Sequence, residues 1–423
     1  MSDITDTGPV IAADGTPLKR SLARALRRQK IRALMLIAPL LLFVLLTFIM
    51  PIGDMLFRSV ENNIVMDTLP KTVVALQDWD PDSGEPPSEA VYAALAADLK
   101  VAVEAKRHTR LGTRLNYELT GISSLFRKSG RQIKKWDLAQ DAPFKAKFID
   151  MNDGWAKIAV WRTIKTYSPK YTNGYFLNSI DMQKGTDGAE ARPENQQIYI
   201  TLFKRTMFMS MVITISCIIL AYPVAWILAN LPARTSNMLM ILVLLPFWTS
   251  LLVRTSAWKV MLQQQGVINE TLVWLGLVAD DARLVMINNQ FGTIVAMTHI
   301  LLPFMILPMY SVMQTIQPTY LRAAKSLGAT NWTAFWRVYF PQSIPGIGAG
   351  SILVFILSIG YYITPELVGG TKGVFISNRI AFHISSSLNW GLAAALGAIL
   401  LAVVLVLYWA YDKIVGIDNV KLG

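Results

Sequence analysis

Cysteine and histidine are nearly missing from this chain, which has one cysteine and three histidines in 423 residues. Cys217 therefore has no partner for an intrachain disulfide, and no thiol-rich metal site or His/Cys catalytic constellation has enough members. A phosphate loop of the form G-x-x-x-x-G-K-[S/T] is missing as well, so the chain does not cradle nucleotide phosphates by that route. Charge is also sparse. Only 16% of residues are charged and 53% are hydrophobic, where soluble domains carry roughly a quarter charged residues. These absences exclude most enzyme classes and point to a protein of the bilayer.

What the chain has instead is long apolar runs, and crossing the hydrocarbon core takes about 20 such residues. Six runs qualify: between Arg32 and Arg58, between Arg205 and Arg234, Asn237 to Val253, Phe291 to Met313, Ile344 to Pro365, and Gly391 to Tyr411. The expectation is an all-α integral membrane protein with six transmembrane helices. The first run follows a basic stretch, as in a signal peptide, but it is too long and lacks a small-residue cleavage site, so it reads as an anchor.

The net charge of +12 could suggest nucleic acid, but the positions of the charges place them at a membrane surface. Lys19, Arg20, Arg24, Arg27, Arg28, Lys30 and Arg32 crowd the approach to the first run, and such residues stay on the cytoplasmic side. With the N-terminus inside, six crossings return the C-terminus to the cytoplasm. They also put the Pro232 to Ser236 turn and the Tyr320 to Ile347 loop there. That loop carries Arg322, Lys325 and Arg337 and no acid, whereas Lys259, Lys372 and Arg379 fall outside, so the rule acts as a bias. Leu18, Leu22, Ala25 and Leu26 share a helical face opposite most of the basic residues. The tail reads either as lying on anionic lipid or as a solvated basic segment.

The resulting organisation is a cytoplasmic basic tail over 1–31, a first span over 32–57, a polar block over 58–202 expected outside the membrane on the periplasmic side, a five-helix membrane core over 203–413 with a loop at 318–346, and a short cytoplasmic tail over 414–423. Ser88 is placed to cap a helix reaching Arg107, with Val91, Leu95 and Leu99 as its apolar stripe. A second helical pattern passes through Leu111, Leu115, Leu119 and Ile122. From Trp136 to Tyr175 no period emerges, and strand and loop both stay open. Trp155, Trp161, Tyr167 and Tyr171 read either as a docking surface or as a small core, and the area that aromatic rings bury favours the core. Pro223, Pro246, Pro303 and Pro308 interrupt the runs and mark kinks, either hinges or static packing features.

The polar segment from Tyr320 to Ile347 is the most specific part of the chain. Pro318 can open a short helix, Gly328 can end it in the left-handed conformation, and Asn331 can cap a second helix over Trp332 to Phe340. Pro341 is expected to stop that helix, and Pro345-Gly346 to turn the chain into the next span. Helix, glycine corner and helix together predict a rigid lever.

Here the chain resembles the ABC importer permease family with the EAA-type loop, and within it the spermidine/putrescine-type branch. That loop reads acid-Ala-Ala, three residues, Gly, nine residues, an aliphatic residue, one residue, an apolar residue and Pro. This chain offers Arg322-Ala323-Ala324, Gly328, Val338 and Phe340-Pro341. Leu245-Pro246-Phe247-Trp248-Thr249-Ser250, Val253-Arg254-Thr255, Ala221-Tyr222-Pro223-Val224-Ala225 and Tyr362-Ile363-Thr364-Pro365 are also similar to that branch. The resemblance spans about residues 200 to 413 and the first span, and leaves out most of 58–202.

It implies a type I importer permease fold with a large periplasmic insertion between the first and second helices. It also implies a location in the bacterial inner membrane and no catalysis by this chain. The implied partners are a second permease subunit, a dimer of ATP-binding subunits and a substrate-binding protein outside the membrane. This chain binds no cofactor, and ATP with Mg²⁺ belongs to the partner. Arg322, Ala323, Ala324, Gly328, Trp332, Phe335 and Pro341 are the expected ATPase-coupling residues. Arg322 replaces the family's acid, which predicts a partner cleft that is acidic or neutral at that point.

For the solute path the candidates are Trp248, Arg254, Tyr361, Tyr362 and Glu366. Glu366 with the aromatic rings suits a cationic polyamine, while Arg254 suits an anionic or zwitterionic solute, and the two charges could instead pair. His299 has no evident partner in the sequence and reads as a packed neutral side chain. A secondary transporter or a channel subunit is the competing class. It would call for inverted repeats and more ionisable groups within the spans, and the chain has neither.

Overall fold

The computed structural model describes residues 18–138, 140–185 and 188–415, with side chains from 26 to 413 within those stretches. The first helix is described by itself. It runs through Leu18–Val44, a π turn at Leu45–Ile49, and Met50–Arg58, and Leu26–Arg58 is long and apolar enough to cross a membrane. The π turn has a local cause. Pro51 lacks an N–H, and its ring would press on the carbonyl four residues back. Bonding the Met50 N–H to the Leu45 carbonyl widens the turn ahead of it. The amphipathic face expected of Leu18, Leu22 and Ala25 lies outside the described side chains.

The described residues from Arg58 onward cluster as one compact unit. Among the described residues four more helices have the length and composition of a span: Tyr199–Asn230, Gln290–Thr315, Asn331–Gly360 and Trp390–Lys413. Their packing is legible residue by residue. Met209, Ile213, Cys217, Ala221 and Ala225 repeat every fourth residue on one helix. Met297, Leu301, Met305, Met309 and Met313 do so on the next, and both rows are buried in one core. In lipid no hydrophobic force draws helices together, so close backbone approach matters more. Gly346 supplies it, since a Cβ there would stand 3.0 Å from the Met309 Cα. Pro223, Pro303 and Pro308 sit inside unbroken helices.

The third apolar run is not a single helix. Ala233–Trp248 and Leu251–Met261 meet at 92°. Pro246 lies in the 3₁₀ turn Leu245–Trp248, and the Ser250 hydroxyl accepts a hydrogen bond from the Val253 N–H, so the chain stops one helix and caps another within five residues. The fifth span also differs from its expected limits. It ends at Gly360 rather than Pro365, and Ile363–Val368 forms a separate short helix.

Residues 58–202 are mainly helical. After two short helices, Ile64–Thr68 and Pro70–Ala75, helix Glu89–Glu104 buries Val91, Leu95 and Leu99 as expected. Ser88 takes the extended N-cap geometry without a side-chain bond. The neighbouring Glu89 carboxylate instead accepts from the Phe144 and Lys145 N–H groups at the start of helix Phe144–Met151. The expected second helix is two, His108–Leu115 and Ile122–Ile133, because Gly121 turns the chain at φ +101°. Trp136 to Tyr175 contains helices rather than strands: Phe144–Met151, Ile158–Thr166 and the start of Gly174–Ser179. Trp155, Trp161 and Tyr167 are buried among Tyr92, Phe126 and Phe148, which makes them core, while Tyr171 is exposed. Among the described residues the only strands are Met182–Lys184 and Ala189–Ala191, paired antiparallel.

Two features tie this block to the spans. Asp181, buried at the end of the block, accepts from the Ile198, Tyr199 and Ile200 N–H groups at 3.0, 2.9 and 2.8 Å, which satisfies three of the four donors that the start of helix Tyr199–Asn230 leaves open. His383, on helix Ile376–Ser385, lies within 3.0 Å of the Tyr199 hydroxyl and 2.8 Å of Ser387 Oγ, with the Tyr117 ring edge-on at 5.8 Å.

Burial, and next the charge of Arg379, push the His383 pKa from 6.5 down to about 4. The fold therefore holds the neutral ring. Its contribution is complete above pH 6.5 and is lost as the pH falls from there to about 4, up to about 3 kcal/mol. The melting temperature of the purified protein should fall through that window, and the fall should be shallower in His383→Asn. Equal pH slopes in scanning calorimetry of the two proteins would remove the assignment.

Candidate functional site

The segment 318–346 is built by three local devices. Pro318 occupies the first turn of helix Pro318–Ser326, where its missing N–H is not needed. At the other end the Ala329 N–H bonds to the Ala324 carbonyl and the Gly328 N–H to the Lys325 carbonyl, closing the helix around Gly328 at φ +88°. That is the six-to-one, five-to-two closure in which glycine carries the left-handed residue. Thr330, rather than Asn331, then caps the next helix, its hydroxyl accepting from the Thr333 N–H at 3.2 Å.

The second short helix does not stop at Pro341. Asn331–Ala334 passes through a π turn at Phe335–Tyr339 into Phe340–Gly360, so the lever and the span are one continuous helix. Bonding of the Phe340 N–H to the Phe335 carbonyl opens the turn just before Pro341, the same solution as at Pro51. Pro345-Gly346 lies within that helix and not in a turn.

This elbow exposes what folding normally hides. Leu327 at the corner is 89% exposed and Trp332 is 72% exposed; Trp336 and Tyr320 are also open. Arg322, Lys325 and Arg337 stand on the same exposed segment. Of the expected coupling residues, Arg322, Ala323, Gly328, Trp332 and Pro341 are exposed, and Ala324 and Phe335 are half-buried. Phe335 is the inward end. Its ring meets Tyr222 at 6.0 Å, Trp336 at 5.3 Å and Tyr339 at 6.0 Å, and the Tyr222 hydroxyl lies 3.1 Å from Ser343 Oγ. Packed aromatic rings thus connect the elbow to helix Tyr199–Asn230. Sequence reasoning missed Leu327, which a leucine beside a corner glycine in a polar loop could have flagged.

The second group of candidates is only partly assembled. Arg254 is half-buried, and its Nε and Nη1 are enclosed without a hydrogen-bond partner. It lies close enough to His299 and Tyr361 to act on both electrostatically. His299 has a partner after all: the Trp258 indole N–H donates to its Nδ1 at 3.1 Å, so that nitrogen carries no proton. Glu366 is exposed and accepts from the Asn378 amide at 2.6 Å, and among the described residues it forms no ion pair with Arg254. Trp248, at the 92° bend, is 87% exposed; Tyr362 is exposed as well. The Asn378 amide joins the Tyr362 carbonyl to Glu366, and the neighbouring Ser377 hydroxyl donates to the Tyr361 carbonyl. Among the described residues no group of acids, histidines or cysteines could hold a metal ion.

Several span-length helices, three of them sharing one buried core, with an apolar-tipped helical elbow leading into one of them, are the architecture of a multi-span membrane protein. The chain belongs to the family of binding-protein-dependent transport system inner membrane components, whose model matches residues 205–415. It is thus an ABC importer permease of the inner membrane.

The spermidine/putrescine transport system permease protein PotB of Escherichia coli K12 is 33% identical over 220 residues, covering 51% of this chain and 79% of that protein. PotB of Haemophilus influenzae has the same identity over 220 residues, 51% of this chain and 76% of its own. The inner membrane ABC transporter permease protein YdcU of Escherichia coli K12 is 33% identical over 234 residues, 53% of this chain and 73% of that protein. Among solved structures, a bacterial ABC transporter involved in the import of the acidic polysaccharide alginate aligns over 53% of this chain and 80% of that chain, at 20% identity and a TM-score of 0.42. Residues 58–202 lie outside the matched stretch 205–415.

Proposed function

We propose that this chain is the membrane-spanning subunit forming half of the solute path of an ATP-driven importer, coupled to a separate ATPase through residues 318–346. A second permease, a pair of ATP-binding subunits carrying ATP and Mg²⁺, and a solute-binding protein complete the assembly. In this reading the N-terminus, the elbow and the C-terminus face the cytoplasm, and residues 58–202 face the periplasm. The observation that carries it is the elbow, with Leu327 open to solvent beside the Gly328 corner and Trp332 open on the helix that continues into a span. An apolar surface with basic residues beside it is a docking surface, and Arg322 in place of the family's acid calls for an acidic or neutral cleft on the ATPase.

The names of the PotB relatives support a polyamine, spermidine or putrescine, or a related small organic solute. Arg254 favours a second reading. Two enclosed guanidinium nitrogens without partners are satisfied by a carboxylate, so the solute class becomes an organic acid or zwitterion. Reconstitution with the ATPase and the binding protein decides between them. Under the carboxylate reading, Arg254→Gln lowers solute-stimulated ATP hydrolysis about tenfold or more. If spermidine or putrescine stimulates hydrolysis and Arg254→Gln leaves that stimulation unchanged, the polyamine stands and the carboxylate reading falls.

A further inference from the structure

Residues 58–202 and the approach to the last span enclose a cleft of about 510 Å³, within the range of small-ligand sites. Its walls combine Arg58, Arg110 and Arg114 with Asn389 and Trp390, and Glu61 is the one carboxylate among the lining residues. Glu61 is already engaged, accepting from the Asn63 amide at 2.6 Å. Arg114 is paired with Glu118 behind the wall, and Arg110, exposed at the mouth, is the arginine that brings its charge to the cleft.

Two buried donors on this cleft have nothing to bond. Arg114 is 6% exposed. Its Nε donates to the Tyr175 hydroxyl at 3.0 Å and its Nη1 to Glu118 at 2.7 Å, but its Nη2 is enclosed and unpartnered. Asn389 is 5% exposed. Its Oδ1 accepts from the Leu392 N–H at the start of the last span, and its Nδ2 is enclosed and unpartnered. Leaving such donors unmet is costly, more so for the charged one. Trp390 and Gly391, also on the cleft wall, open the 26-residue helix Trp390–Val415. The positive end of that helix dipole therefore faces the same space.

We propose that this cleft is a binding site for a phosphate-bearing anion, held by Arg114 Nη2, Asn389 Nδ2 and the start of the last span, with Arg110 at its mouth. Two sources share that chemistry, an anionic phospholipid headgroup and a soluble phosphate ester. The position of Trp390 at the start of a span puts the cleft at the level where lipid phosphates lie. Much of the wall comes from residues outside the stretch matched to the family, so the site is particular to chains that carry this block.

The test uses the full-length protein in nanodiscs of phosphatidylcholine with or without phosphatidylglycerol, and in detergent with glycerol phosphate. Asn389→Asp keeps the cap acceptor and replaces the unpartnered donor with an anionic oxygen, and Arg110→Glu changes an exposed residue that the core does not need. Wild-type protein should retain phosphatidylglycerol by native mass spectrometry, and each variant should retain about tenfold less, as expected for loss of a charge-assisted contact. Protection by glycerol phosphate without lipid retention, lost in the same variants, assigns the soluble source. Equal retention of both lipids and no glycerol phosphate binding overturn the site, as does binding that Arg110→Glu and Asn389→Asp leave intact.

Discussion

Aspartate in place of both Leu327 and Trp332 is expected to abolish ATPase association and uptake while leaving the protein inserted and folded. Both side chains face solvent, 89% and 72% exposed, and surface changes of this kind shift stability by only about 0.5 kcal/mol. In an interface the account reverses. Central apolar anchors are worth about 2 kcal/mol or more each, and two of them correspond to roughly a thousandfold in affinity. The same pull-down and proteoliposome uptake assay takes Arg322→Glu, which should weaken association if the partner's cleft is acidic at that point. It also takes Gly328→Val, which has open space around it but must adopt φ +88°, a conformation strained for a β-branched residue. Uptake at wild-type levels with Leu327 and Trp332 both replaced would sink ATPase coupling through this elbow and restore the secondary-carrier reading.

Glu118→Gln is expected to be the most destabilising single change in residues 58–202. Its carboxylate is 3% exposed and accepts from Arg114 at 2.7 Å, Tyr167 at 2.8 Å, Asn178 at 2.9 Å and Arg192 at 3.3 Å. Arg114 also stacks on Tyr175, 4.5 Å from the ring centre. Burial first, and then the Glu118 charge, push the Tyr167 phenol well above its usual range, which keeps it a donor. Neutralising Glu118 leaves two buried guanidinium groups without a counter-charge, a loss of about 3–5 kcal/mol. Trp155 and Trp161 lie in the adjoining core, so their fluorescence reports the unfolding midpoint in urea. A midpoint equal to that of the wild type would mean that the cluster stabilises nothing.

The apolar runs gave the spans because a bilayer demands length and hydrophobicity, and both are local sums. The run over Asn237–Val253 concealed a 92° bend, although Pro246 and Ser250 were visible, because hydropathy adds residues without regard to direction. The loop was legible up to Gly328, where one residue type fits one backbone region. Beyond it, Pro341 looked like a stop because proline breaks the ordinary α-helical ladder, whereas a π turn lets the helix pass it, the same local solution as at Pro51. Trp136–Tyr175 was unreadable for a different reason. Helices of eight or nine residues between turns are too short to establish a period, and their rings take their sides only once the core closes.

By itself the sequence determined the class of protein: span-length apolar runs, a basic polar loop with a glycine corner, and no nucleotide loop. Each of these is a property of neighbouring residues. Which charges meet was decided only by the tertiary structure. Glu366 turned to Asn378 rather than Arg254, His299 found Trp258, Asp181 reached the start of a span 18 residues on, and Arg114 and Asn389 came to share one cleft from opposite halves of the chain. Electrostatic and hydrogen-bond energies depend on distances of a few ångströms, and those distances are set by how helices stack and not by their order along the chain.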